Sequence, residues 1–367
     1  MAAWQWFNYY SSQLPVGKRM LRINLDETSL CLFQGHSKGT VFASKKRPRD
    51  GEPVQNVPTR KRRCCLTHIG LVCDVPELQP LLPQFIVGNE ATFLVRDFVA
   101  LQALCPANIV LVRQKSAWNN EFLCAQVVAR LAAALQPHLG QYQPVLLLDA
   151  CRIHTTRNVL MACNAHRVWP LLVPAKTTWL LQPLDTHAFQ LYKAFLMGSY
   201  ERARVENGVA DLSIGQFISC VCETIRSVLQ GRRWAVAFEQ DGFGAGQAGL
   251  SASVMRELRF EGPPVVADAR PSVEQLSCCF PKRSTVPTLL LWRAFDPSPP
   301  PRVFPSSAAS SSAVGAVCVA AERRLGRTRS QHRVALAASL EARAVPRAAI
   351  AARATRLPGA KARATGR

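Results

Sequence analysis

Short apolar runs, bounded by polar or turn-forming residues, recur between residues 21 and 260 and read as buried strands. Residues 21–33 make the first, opening Leu21-Arg22-Ile23-Asn24-Leu25-Asp26 and ending near Phe33. Gly35 to Ala43 turns and returns as a second strand. Leu66 to Val75 resumes as a third, with a proline-punctuated extension through Val87. The run Val145-Leu146-Leu147-Leu148-Asp149 is a fourth strand, and Val168 to Val173 a fifth. Helical spacing interrupts them. Phe122, Leu123, Val127, Leu131 and Leu135 place a helix over Trp118–Leu139, with Asn119 or Asn120 as its cap and Gly140 at its end. Residues 155–166 read as a second helix, and Asp185 opens a third that runs to about Arg204 and carries Phe189, Tyr192, Lys193 and Phe195. A helical region continues to Leu229, and apolar positions thin out after Phe260. Strand, helix, strand is the signature of parallel neighbours in an α/β sheet.

The pattern breaks in three places. Residues 1–20 form an aromatic lead-in that suits a short helix or an extended segment. Residues 44–63 form a basic, Pro- and Gly-containing loop, with Lys45, Lys46, Arg47 and Arg49 on one side and Arg60, Lys61, Arg62 and Arg63 on the other. From 263 to 367 the chain turns Pro-, Ser- and then Ala/Arg-rich and reads as a disordered tail. The folded part is expected over 21–262, its helical C-terminal portion over 186–262.

Composition narrows the partners. The chain has 367 residues and a net charge of +21, which favours a polyanion, nucleic acid first. From Glu322 onward there are twelve Lys or Arg against two Glu, so about half of the excess sits in the tail. No stretch approaches the roughly 20 apolar residues that a membrane-spanning helix needs, and no secretory signal opens the chain. The thirteen cysteines have no disulfide framework and are expected to be reduced. Cys64, Cys65 and His68, and likewise Cys220 and Cys222, lack the paired spacing of a zinc module and read as ordinary thiols.

Three acids stand at strand ends or in the segment that follows one: Asp26, Asp149 and Asp185. A single such acid reads as a cap or a surface carboxylate. Two unit charges 4 Å apart repel by roughly 4 kcal/mol at an effective dielectric of 20, so three gathered at one rim of a sheet call for a cation. Oxygen ligands favour Mg²⁺ or Mn²⁺.

The words around these acids are Asp26-Glu27-Thr28, then Leu148-Asp149-Ala150-Cys151-Arg152-Ile153-His154, then Thr177-Thr178-Trp179-Leu180-Leu181-Gln182-Pro183-Leu184-Asp185, with Asp149 and Asp185 36 positions apart. Over about residues 5–260 the chain resembles the DDE superfamily endonuclease domain of pogo-like and mariner-like transposases. The resemblance implies an RNase H-like fold, a mixed five-stranded sheet flanked by helices, with the first and fourth strands adjacent. It implies a DNA endonuclease or strand transferase in which Asp26, Asp149 and Asp185 hold two divalent ions, Asp26 bridging them and Glu27 and His154 supporting the ligands. It implies DNA as substrate, a homodimer as the acting form, and the nucleus as location. The two basic runs serve as phosphate contacts, as a bipartite import signal, or as a solvated loop. Lys176 and Lys193 are candidates for the DNA backbone, and Trp179 reads as core in preference to a base-stacking residue.

The chain also departs from the family pattern. Ala150 replaces the usual Asn, and Cys73-Asp74-Val75 stands where a Gly is usual. The first acid comes at position 26, before which no helix-turn-helix fits, so a truncated chain or recognition in trans is expected. Two rival readings stay open: a domesticated, catalytically silent DNA-binding protein, and a remnant reading frame with a non-coding tail.

Overall fold

In the computed structural model the described residues are 1–31, 65–209, 211–244 and 249–277. The expected strand over 35–43, the basic loop over 44–63 and the tail beyond 277 lie outside them, and with them Lys45, Lys46, Arg47, Arg49, Arg60, Lys61, Arg62 and Arg63.

Six strands form one mixed sheet: β1 (Arg19–Cys31), β2 (Cys65–Cys73), β3 (Gln84–Asn89), β4 (Ile109–Gln114), β5 (Tyr142–Asp149) and β6 (Trp169–Val173). Their spatial order is β4-β3-β2-β1-β5-β6. Strands β1, β2 and β3 run antiparallel to their neighbours in turn, whereas the β1–β5, β5–β6 and β3–β4 pairs are parallel. Of these, β1, β2, β5 and β6 fall on expected strands, with the expected adjacency of the first strand to the one that bears Asp149; β3 was expected only as an extension of β2, and β4 adds a sixth strand.

The sixth strand is the difference. The proline-punctuated stretch does not extend β2. Pro76, Pro80 and Pro83 withhold backbone donors, a 3₁₀ turn forms at Gln79–Leu81, and the chain reverses into β3. Helix α2 (Val95–Ala103) then carries it to β4 at the sheet edge. Helix and strand are short there, and their apolar positions are only half-covered, so neither left a clear period.

Helix α3 (Glu121–Leu135) starts where the Asn signal put it: the Asn120 side chain accepts from Phe122 N and Leu123 N, a cap worth about 1 kcal/mol. Its inward positions Leu123, Val127, Leu131 and Leu135 are buried, and it packs on α4 (Arg157–Ala165). After β6 come a single turn, α5 (Thr178–Leu181), one π-helical turn at Leu184–Ala188, and the long α6 (Phe189–Asn207). Phe189 and Tyr192 of α6 lie over Gly70 and His68 of β2. Helices α7 (Ile214–Thr224), α8 (Ala235–Gln240), α9 (Ala252–Glu257) and α10 (Val273–Ser277) complete the described chain.

The aromatic lead-in is helix α1 (Ala2–Ser12), and it is part of the core. Trp4, Trp6, Phe7, Tyr9 and Tyr10 are buried, and the Tyr10 hydroxyl donates to Pro170 O on β6 at 2.8 Å. Trp4 fits because residue 242 is glycine, with φ +91; a Cβ there would overlap the Trp4 indole. The packed chain also reaches beyond 262: Asn8 donates to Val266 O and Gln5 to Ala269 O, each at 3.0 Å, and Leu276 is buried.

Candidate active site

Parallel pairing of β1 with β5 sets Asn24 opposite Leu147. Two residues further along both strands, that register brings Asp26 beside Asp149. The third acid arrives through a different device. Asn24 is fully buried on the same strand face as Asp26, two residues back. Its amide nitrogen donates to Leu147 O on β5 and to Leu25 O, each at 3.2 Å, and its amide oxygen accepts from Leu184 N at 2.8 Å. One side chain thus joins the two central strands to the π turn that carries Asp185.

The consequences are electrostatic. Burial, then the neighbouring charges of Asp185, Glu27 and Asp149, push the Asp26 carboxyl well above the usual carboxylate range. Asp185 is raised too, first by desolvation and by the Asp149 charge, against the lowering effect of side-chain hydrogen bonds to Asp26 and Thr178 and of the Lys193 charge. All three acids therefore sense one another, and Asp26 and Asp185 share a hydrogen bond. Holding both as bare carboxylates is costly. A hard divalent cation would remove that cost, and carboxylate oxygens suit Mg²⁺ or Mn²⁺; the three acids do not form a group with donor atoms within 4.8 Å of one another and would have to draw closer around such an ion.

Asp149 behaves differently. His154 has no exposed surface, and its Nδ1 lies 2.5 Å from Asp149 Oδ1 while its Nε2 lies 3.3 Å from Glu27 Oε1. Burial alone would lower the imidazole's affinity for a proton, but hydrogen bonds to Asp149, Cys124, Cys151 and Glu27 outweigh it and raise it well above the usual histidine range. The same bonds hold Asp149 and Glu27 below the usual carboxylate range, against their own desolvation. His154 thus stands between two acids from two strands, a carboxylate oxygen facing each ring nitrogen. Asn119 completes this side, its amide 2.5 Å from Glu27 Oε1.

An Asp149 oxygen, Cys151 Sγ and His154 Nδ1 all lie within 4.8 Å of one another, a second and softer donor set. Ligands about 2.0–2.3 Å from a shared tetrahedral ion stand roughly 3.3–3.7 Å apart. The 2.5 Å separation of His154 from Asp149 is instead a hydrogen bond, which an ion would have to open.

Of the residues singled out in the sequence, Asp26, Glu27, Asp149, His154 and Asp185 come together. Lys176 and Lys193 are exposed on the Asp185 side, Lys176 with φ +68. Trp179, read as core, is exposed: α5 buries Leu180 and Leu181 and turns the indole outward. Asn24, Asn119, Thr178 and Cys151 escaped the sequence reading. For Asn24 a signal existed, a polar residue at the i−2 position of an acid on an otherwise apolar strand face. Beside Ala150, Cys151 N donates to Asp149 Oδ1 at 3.2 Å, and Asp74 pairs with Arg22 at 2.7 Å. Cys220 and Cys222 are buried free thiols, and His68 is bonded to Gln84; Cys64 and the Cys65 side chain lie outside the described residues.

Among the described residues no helix is long and apolar enough to cross a membrane. No protein-family model and no curated protein sequence matches the chain. Among solved structures it is similar to a Mos1 transposase paired-end complex with left transposon end, at 15% identity over 66% of this chain and 62% of that one, with a TM-score of 0.28. It is similar also to a Mos1 mariner paired-end complex with Mn (14% identity, 66% and 62% coverage, TM-score 0.28). A third is a Mos1 strand transfer complex (14%, 66% and 61%, TM-score 0.26). The chain therefore spans less than two thirds of the length of these structures, and a likeness of this degree says nothing of activity.

Proposed function

We propose that this chain is a transposase-type DNA endonuclease or strand-transfer domain, dependent on divalent metal ions held by Asp26, Asp149 and Asp185. The observation that supports the reading is the β1–β5 register and the Asn24 tether to Leu184, which bring Asp26, Asp149 and the Asp185 turn to one end of the sheet, where burial and then the neighbouring charges raise Asp26. Such a cluster costs stability unless it binds something positive, and proteins retain that cost at functional sites.

In this reading Asp26, Asp149 and Asp185 would hold the ions. Bound there, the ions would activate an attacking oxygen and stabilise the leaving oxygen of a phosphodiester. The protein's part is positioning. Asn24 ties the Asp185 turn to β1 and β5. His154 orients Asp149 and Glu27 and keeps both ionised. Lys176 and Lys193 meet the DNA backbone, with the basic runs at 45–49 and 60–63 adding sequence-independent affinity. The same runs would direct the protein to the nucleus, and a homodimer would act on DNA ends.

A supercoiled-plasmid nicking assay tests this directly. With Mg²⁺ or Mn²⁺ the wild-type protein should nick, and Asp149→Ala should not. Equal activity in the two proteins rejects the assigned site. Salt-dependent DNA binding without metal-dependent nicking in either would identify a silent DNA-binding protein instead.

A further inference from the structure

Two indoles stand open next in the chain to residues that meet the acids. Trp118 is 76% exposed and Trp179 59%, and Phe122, in the first turn of α3, is 66% exposed. Each tryptophan is one residue from a side chain that touches an acid. Trp118 precedes Asn119, whose amide meets Glu27. Trp179 follows Thr178, whose side chain hydrogen-bonds Asp185.

The Trp179 ring is held, and the backbone that carries Trp118 is held. Trp179 Nε1 donates to Lys176 O at 3.0 Å, which sets the indole plane against the turn before α5. The Gln114 amide donates to the Trp118 carbonyl, anchoring that loop to the end of β4. Isolated exposed apolar residues need no explanation, but two exposed indoles, each next in the chain to a residue that meets an acid of one cluster, do.

We propose that Trp118 and Trp179 form a stacking platform for unpaired bases of a nucleic-acid strand whose backbone passes the acids. The proposal rests on the nuclease reading for the path of the backbone. In a duplex both faces of each base are covered by stacking, so an open indole offers nothing to it. An unpaired base presents a free π-face, and stacking on an aromatic residue is strong and tolerant of sequence. The surrounding charge suits the same partner, with exposed Lys176 and Lys193 beside Trp179 and Asp185. The substrate class is therefore a DNA end with unpaired nucleotides, or a locally opened duplex, in preference to intact duplex.

The test uses the full chain and two labelled oligonucleotides: a blunt duplex, and the same duplex with a short unpaired 3′ tail containing 2-aminopurine. Binding is measured in Ca²⁺ to avoid cleavage. Wild type should prefer the tailed probe and quench its 2-aminopurine. Trp118→Ala and Trp179→Ala should each lose about five- to a hundredfold in affinity for the tailed probe, with the blunt duplex unaffected. Trp→Phe at either position should restore most of the loss, and matching circular dichroism confirms that the variants fold. The platform is overturned if the Ala variants bind both probes as wild type does, or lose equally on both. Robust plasmid nicking with unaltered Ala variants removes the platform and leaves the nuclease. Tail preference and quenching without any nicking removes the nuclease and leaves the platform.

Discussion

Acid titration of His68 offers a quantitative check on the packing between the sheet and α6. His68 is fully buried on β2 beneath Tyr192. Its Nε2 meets Gln84 Oε1 at 3.1 Å. That oxygen also accepts from Leu71 N at 3.1 Å, while the Gln84 nitrogen donates to Leu71 O at 2.8 Å. The amide is therefore fixed with its oxygen toward the histidine, and Nε2 must carry the proton. Nδ1 is buried and finds no hydrogen-bond partner among the described residues, so a second proton has nowhere favourable to go. Burial accordingly pushes the imidazole down from 6.5 to about 4. Between these values the unfolded chain binds more protons than the folded one, so stability falls as pH falls. At about 1.4 kcal/mol per pH unit, the shift amounts to roughly 3 kcal/mol between pH 7 and pH 4. Urea unfolding across that range, comparing wild type with His68→Phe, isolates this group because other titrations cancel in the difference. The wild type should lose roughly 3 kcal/mol relative to the variant on acidification, levelling off below the folded value. A difference that stays flat from pH 7 to pH 4 would refute the argument.

Two further predictions concern the acids. Asn24→Leu removes two donated bonds and strands Leu184 N, and should cost about 2–3 kcal/mol in urea unfolding; nicking should fall further than stability does, because Asp185 loses its tether. Asp185→Asn, measured at pH 7–8 in EDTA, should melt higher than wild type, since it relieves the repulsion that raises Asp26. Mn²⁺ should then stabilise wild type by about 2.7 kcal/mol at 100 times its dissociation constant and leave Asp185→Asn unmoved, whereas a lower melting point for the variant in EDTA would contradict the repulsion argument.

Local information lay openly in the chain. The apolar runs around Leu21–Leu25, Val145–Leu148 and Leu171–Val173 are strands because such runs can be buried on both faces, and β1, β5 and β6 follow. Asn120 caps α3 because an unpaired amide end needs an acceptor wherever the helix lies. Asp149 and Asp185 were visible because each ends or follows a strand-like run; Asp26 lies within β1, just past the last residues paired with β5.

What the chain could not disclose depends on which residues meet across long separations. The period of α5 does not say that Leu180 and Leu181 face inward and Trp179 outward; the neighbours packed around that single turn decide it. Helix α2 and strand β4 owe their places to the edge left by β3, which exists only once the prolines at 76–83 have turned the chain. Nor does any local rule tell that Asn24 will hold Leu184 from 160 positions away, or that His154 will stand between Asp149 and Glu27. Sequence by itself therefore determined β1, β2, β5, β6, the helix α3 and the candidate acids, since propensity and capping act within a few residues. Tertiary structure alone decided their protonation and their partners, since desolvation and Coulomb forces depend on distance through space.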